Sequence, residues 1–227
     1  MRRVNRDLSF TAKLVSVFGP GFAFYLDRIE LSERLDSSPT LQASAALMLR
    51  FSDTADMTTE ARTHLRRVCT EAEGYLELGM PDRALESLQR WGQHVHGDAR
   101  GCYLMGETLR ELQRYREAIF PLRRCLELIP DDIHVAMALG WCFKRVGQLD
   151  EAIGALEHAV AIDPSEAVLH YNLACYWSLA RNRRRALQCL AHALEIDGNF
   201  RELVCDEPDF DPIRMDPLFQ ALTATVG

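Results

Sequence analysis

Lysine is almost absent from this 227-residue chain: Lys13 and Lys144 are the only two, so arginine supplies nearly all of the 26 positive charges. Against 33 Asp and Glu residues the formal net charge is −7, with a pI of about 5.5. Nucleic acid is therefore not the expected partner, because phosphate binding needs a basic footprint. No apolar run reaches the ~20 residues that a membrane-spanning helix requires, so no stable membrane insertion is expected. Seven cysteines are present without a C-x-x-C pair. An odd count of free thiols used as small apolar side chains points to a reducing, cytoplasmic compartment and not to a disulfide or zinc framework.

Catalytic signatures are missing as well. No nucleophile elbow, glycine-rich phosphate loop, metal-binding histidine pair or pair of catalytic carboxylates stands out. Gly19-Pro20-Gly21 breaks a helix but lacks phosphate-loop spacing. The expectation is a chain that is not an enzyme and needs neither metal nor cofactor. What remains, 48% apolar and 26% charged residues, is an ordinary globular composition.

What the chain does have is a ladder. Ala118, Ala152 and Ala186 recur every 34 residues, as do Leu122, Leu156 and Leu190, and Ala84 and Leu88 extend the pattern one step upstream. A period of this length, written as two amphipathic helices, describes a unit that cannot bury its own apolar face and must stack on its neighbours. Residues 133–166 are the clearest unit. Leu139-Gly140 and Phe143 belong to its first helix, Gly147 to the turn, Ala152, Leu156 and Ala159 to its second helix, and Asp163-Pro164 to its end. Gly140 and Ala152 are small so that two helices can approach, Pro164 stops the second helix for want of an N–H, and Ser165 is placed to cap the next one.

Residues 99–132 repeat the scheme with Met105-Gly106, Leu109, Ala118, Leu122, Cys125 and Pro130. Pro121, inside the second helix of that unit, is expected to bend it toward its outer face. Residues 167–200 follow with Leu173-Ala174, Trp177, Ala186, Leu190 and Ala193, then Asp197-Gly198. Residues 65–98 fit most loosely. They keep Ala72, Tyr75, Gly79, Ala84 and Leu88 but put bulky Trp91 where the other units carry Cys125, Ala159 and Ala193.

In residues and spacing the ladder resembles the tetratricopeptide repeat family over roughly 135 residues. The resemblance implies an all-α fold, a right-handed superhelix of helix pairs (an α-solenoid) with helical caps at both ends. It implies an N-terminal extension over residues 1–58, four repeats within 59–200, and capping helices over 201–227. First helices would line a concave groove that holds a peptide or another protein.

The two ends lie outside the ladder. Residues 7–18 and 22–35 read as helices, and Pro39 opens a third. Met1-Arg2-Arg3 with the Leu14-Val15-Ser16-Val17-Phe18 run invites a signal-peptide reading, but Lys13 interrupts the lead-in and no small-residue cleavage site follows. The preferred reading is an N-terminal helical cap, with Thr58 capping the helix that enters the array. Near the other end, residues 200–205 read as a short helix. Asp216 and Pro217 make a helix start, and Phe210, Ile213, Phe219 and Leu222 are expected to seal the last helix pair. This closing segment looks like that of many bacterial tetratricopeptide proteins. Its acidic residues read as solvated caps. The Arg181-Asn182-Arg183-Arg184-Arg185 turn reads as a solvated loop edge with Asp206, Glu207 and Asp209 as candidate acidic neighbours, the alternative being a site for nucleic acid or an anionic membrane.

Carried onto this sequence, the family geometry turns Tyr103, Glu107 and Arg110 inward from the second unit. His134, Met137, Trp141, Lys144 and Arg145 face inward from the third, and Tyr171, Asn172 and Cys175 from the fourth. Three aromatics, Tyr103, Trp141 and Tyr171, would stack an apolar anchor while the cations and Asn172 hold a ligand backbone; the alternative is that Trp141 and Tyr171 pack against neighbouring helices. The clamp by which chaperone-binding members grip a C-terminal carboxylate is not here: Cys69 and Glu73, or Tyr103 and Glu107, stand where its Lys/Asn pair would be. The function implied is a protein-interaction scaffold. The alternatives are a client-specific chaperone or assembly factor, in layout similar to small secretion chaperones, or a self-associating array, so a homo-oligomer stays open.

Overall fold

The computed structural model describes residues 58–224, and every regular element in them is a helix. The helices expected before Thr58, and the cap they would form, lie outside the described residues. Four helix pairs stack in order. They are α1 (Thr59–Glu77) with α2 (Pro81–Gln89), after which comes a short α3 (Gly92–His96), then α4 (Ala99–Glu111) with α5 (Tyr115–Leu128), α6 (Ile133–Arg145) with α7 (Leu149–Ile162), and α8 (Ala167–Leu179) with α9 (Arg183–Ile196). Each second helix also packs on the first helix of the next pair, which makes one continuous core. α10 (Phe200–Val204), a 3-10 helix (Pro208–Ile213) and α11 (Pro217–Thr223) close the described chain.

The ladder is the centre of that core. Ala84, Ala118, Ala152 and Ala186, and Leu88, Leu122, Leu156 and Leu190, are all fully buried. Each such leucine contributes ~1.5–3 kcal/mol of burial, and the alanines set how near the helices come. The approach is close enough to exclude one carbon: a Cβ on Gly106 would lie 2.5 Å from Leu122 Cδ2, and one on Gly140 would lie 3.3 Å from the Ala152 carbonyl oxygen.

A second 34-residue period is visible only in the backbone. The turn inside each pair places one residue in the left-handed region: Gly79 (φ 67), Gln113 (58), Gly147 (81) and Arg181 (57). The next residue's N–H then reaches back to the preceding helix, Met80 to the Tyr75 carbonyl (2.8 Å), Arg114 to Leu109 (2.8 Å), Gln148 to Phe143 (2.9 Å) and Asn182 to Trp177 (2.9 Å). These are helix-ending turns of one design, and they satisfy carbonyls that the helix itself cannot.

Helix starts follow the sequence with one exception. Thr58 accepts from the Ala61 N–H, Asp98 from Gly101 and Asp132 from His134 and Val135. The α8 start is different: Glu166 is its N-cap residue and makes no side-chain cap. Ser165 does not cap α8, because it falls one residue before the N-cap position; its N–H (3.0 Å) and hydroxyl (2.7 Å) donate to Asp163 Oδ1 in a tight turn. Pro121 lies within α5 without ending it, its ring on the buried side.

The loose first unit has a physical explanation in Trp91. The indole is too large for the buried small-residue position and stays half-buried, stacked on His64 at 4.3 Å. The second helix therefore ends at Gln89, and Gly92 (φ 39) redirects the chain into α3. Val95 of α3 is fully buried against α4, where a Cβ on Gly101 would meet the Val95 carbonyl oxygen at 2.8 Å.

At the far end Asp216 caps α11 and Pro217 takes its first position. Phe210, Ile213 and Phe219 are buried, with Leu222 packed at their edge. The arginine turn finds other partners than Asp206, Glu207 and Asp209. Arg183 pairs with Asp216, and Arg185 pairs with Glu157 at 2.9 Å while its guanidinium lies 4.5 Å from the Trp177 ring.

Candidate functional site

The inner face is built from α4, α6 and α8, and its three thirds are in different states. On α4, Tyr103 is half-buried, whereas Glu107 and Arg110 pair with each other at 2.7 Å with side chains 12% and 6% exposed. Burial opposes the Arg110 charge, and the Glu107 carboxylate restores it, leaving the guanidinium more firmly protonated than usual. These two side chains are not a free acid and a free base waiting for a ligand.

On α6, His134, Met137 and Trp141 are half-buried and Arg145 is exposed. Arg145 turns its guanidinium over the Tyr115 ring at 5.0 Å. The Trp141 indole N–H is buried with no acceptor among the described residues. The Lys144 ammonium lies 5.1 Å from the Trp141 ring and 5.6 Å from the Tyr176 ring, and it forms an ion pair with Asp209. Asp209 is thus not a solvated cap.

On α8 the expectation of a ligand-facing aromatic fails. Tyr171 and Cys175 are buried, and only Asn172 stays half-exposed. The 3-10 helix packs on α8 and covers them. Tyr171 stacks obliquely on Phe200 (4.9 Å) and meets the edge of Phe210 (5.7 Å), which in turn touches Phe219 (5.5 Å). Burial pushes the Tyr171 hydroxyl and the Cys175 thiol well above their ordinary ranges, and Glu207 and Asp209 nearby add to both shifts. The same burial pushes Cys69, Cys102, Cys125 and Cys142 up to about 12, so these thiols are packing groups, not nucleophiles.

Sequence reasoning missed Glu207, Asp209 and Phe210 as parts of this face. The one signal available was Lys144, the sole lysine after Lys13 in a chain that otherwise uses arginine.

The repeat geometry can now be compared with known proteins. The profile of the tetratricopeptide repeat matches residues 99–132 and 133–166. These limits coincide with two of the units read from the ladder. Residues 99–166 are thus two tetratricopeptide repeats. The human PEX5-related protein is 34% identical over 68 residues, which are 30% of this chain and 11% of that protein. Among solved structures, MamA from Desulfovibrio magneticus is similar over 73% of this chain and 94% of its own, with a TM-score of 0.56 and 21% identity. YrrB, described as a tetratricopeptide protein with an unusual peptide-binding site, is similar over 70% of this chain and 83% of its own, with a TM-score of 0.55 and 24% identity. At such identities the likeness is one of fold. Among the described residues no helix is long and apolar enough to cross a membrane.

Proposed function

We infer that this tetratricopeptide repeat protein is a non-catalytic interaction scaffold that binds a segment of another protein across the first helices α4 and α6. Trp141 carries the reading. A half-buried indole beside the Lys144 ammonium suits a ligand that brings an apolar side chain against the ring. Tyr103, Met137 and His134 flank it with further apolar and aromatic surface, and Arg145 and Asn172 stand at the margins for polar contacts. The peptide-binding site ascribed to YrrB supports the same kind of use. Five of the seven thiols are buried and all seven are free, which suits a reducing compartment such as the cytoplasm.

Site-specific photo-crosslinking tests this directly. A benzophenone amino acid at Met137 should capture a partner segment in the native cell, and one at Gly154, exposed on α7, should not. The reverse pattern would move binding to the outer face. Light scattering of the captured species separates a heterologous partner from a second copy of this chain.

A further inference from the structure

The 3-10 helix does more than a terminal cap requires. To close the last pair it is enough to cover the apolar edges of α8 and α9, which Ile213 and Phe219 help to do. Asp209 instead reaches past α8 to Lys144 on α6, and Phe210 enters a well walled by Tyr171 and Phe200. An acidic residue followed by an aromatic one therefore lies on the inner face, held by an ion pair whose side chains are 17% and 13% exposed.

The fit has two defects. Glu207 lies beside Asp209, which takes the Lys144 ion pair, and Glu207 is held above the ordinary carboxylate range by burial first and by Asp209 second, the Lys144 and Arg214 charges offsetting only part of this. The Tyr171 hydroxyl is buried without a hydrogen-bond partner among the described residues. The segment is fastened from outside the well. Arg214 donates to the Cys205 carbonyl (2.8 Å), to the Glu207 carbonyl (2.7 Å) and to Asp211 Oδ1 (2.9 Å), and so braces the bend that precedes the 3-10 helix.

From this arrangement we propose that the well formed by Lys144, Tyr171 and Phe200 is a recognition site for a partner segment carrying an acidic residue followed by an aromatic one. The chain's own Asp209-Phe210 occupies the site until such a segment displaces it. The proposal rests on the inner face being the binding surface, and it adds the fourth helix pair and a ligand chemistry. A tethered occupant competes at an effective concentration on the order of 1 mM, so a free segment displaces it only by fitting better. The two defects define how. The favoured partner offers one carboxylate to Lys144 and an aromatic ring to the well. Where Glu207 stands it offers a neutral amide, which removes the second carboxylate, and a polar group elsewhere on the segment can meet the unpaired Tyr171 hydroxyl.

The test uses the full chain and a fluorescein-labelled synthetic peptide of residues 206–215 carrying Glu207→Gln. Fluorescence anisotropy should show weak binding to the native chain and binding at least tenfold tighter to Arg214→Ala, which loosens the occupant without touching the well. Adding Lys144→Ala to that variant should abolish the gain, and a peptide with Phe210→Ala should bind neither chain. Hydrogen exchange at residues 208–213 reports whether Arg214→Ala has released the segment. If it has not, the double variant Asp209→Ala, Phe210→Ala serves in its place. No gain in either released chain overturns the proposal and leaves the segment a cap. A dimer of the released chain that the peptide dissolves reassigns the occupant to a second copy and overturns the partner form. A partner that crosslinks at Met137 but never exchanges with the peptide overturns this proposal while the inner-face reading stands.

Discussion

Lys144 and Asp209 are 65 positions apart in sequence, and they form an ion pair at the junction of the Trp141 surface and the covered α8 well. The ammonium also faces the Trp141 and Tyr176 rings. One cation thus touches both the part of the inner face that stays accessible and the part the chain covers itself. Removing a charge so placed leaves its counter-ion in a poor dielectric environment, which is why the pair governs how firmly the segment docks.

Docking of the 3-10 helix should depend on pH through Glu207. Its carboxyl sits above the unfolded value of 4.5, because burial and the Asp209 carboxylate both disfavour its charge. The contribution of Glu207 to docking is therefore fully present below its unfolded value and is lost as pH climbs through the raised folded value, levelling off above it. Hydrogen exchange at 208–213, corrected for its intrinsic pH dependence, should show protection falling as pH rises above the unfolded carboxylate value and through the raised folded one. Glu207→Gln keeps an acceptor for the Asp209 N–H, now at 3.2 Å, and should flatten the profile at its more protected level. An unchanged slope in that variant would assign the titration to another group.

Gln113 and Arg181 occupy left-handed turn positions that Gly79 and Gly147 fill without strain. A side chain in that conformation costs ~1 kcal/mol relative to glycine. Gln113→Gly should accordingly raise the stability of the array by about that amount, and Arg181→Gly by somewhat less, since Arg181 lies nearer the end of the stack. Urea unfolding measures both. A loss of stability at Gln113 would mean that its side chain makes a contact worth more than the backbone strain.

The alanine and leucine ladder was legible in the sequence because each of its positions is fully buried in every unit, so packing repeats wherever the residue does. Trp91 announced the irregular first unit for the same reason, by being too large for its place. Tyr171 was misread because the residues that cover it begin some thirty positions downstream, in a segment without the repeat's period. Asp209 read as a solvated cap because prolines set its spacing, while its partner Lys144 lies in another unit. Ser165 is no cap because α8 starts one residue later than the proline stop suggests, and its two donors turn back to Asp163. Periodicity reveals contacts that recur, and the contacts that distinguish the covered end occur once.

Close approach at the two glycines should rank substitutions. Gly106→Ala places a Cβ within 2.6 Å of two Leu122 carbons, whereas Gly140→Ala meets its nearest neighbour at 3.3 Å. The first should cost ~1–3 kcal/mol and the second less, and Ala152→Leu should overpack the third pair by an amount similar to the first. Because neighbouring units share their interfaces, each loss should appear as a lower Tm for the whole array. A neutral Ala152→Leu would contradict the packing described for α6 and α7.

Glu107 and Arg110 make the most buried ion pair among the described residues, one turn apart on α4. Two charges taken out of water stabilise little as a pair, but either one left alone is costly. Glu107→Leu should thus lower stability by ~3 kcal/mol, the lower end of the range for opening a buried pair. Adding Arg110→Met removes the second buried charge as well and should recover part of that loss, a coupling that urea titration of the two single variants and the double variant resolves. If the double variant is no more stable than Glu107→Leu, the pair is not what holds this part of α4. Recovery with partner capture at Met137 intact would make the pair structural, and recovery with capture lost would mean that the ligand itself opens it.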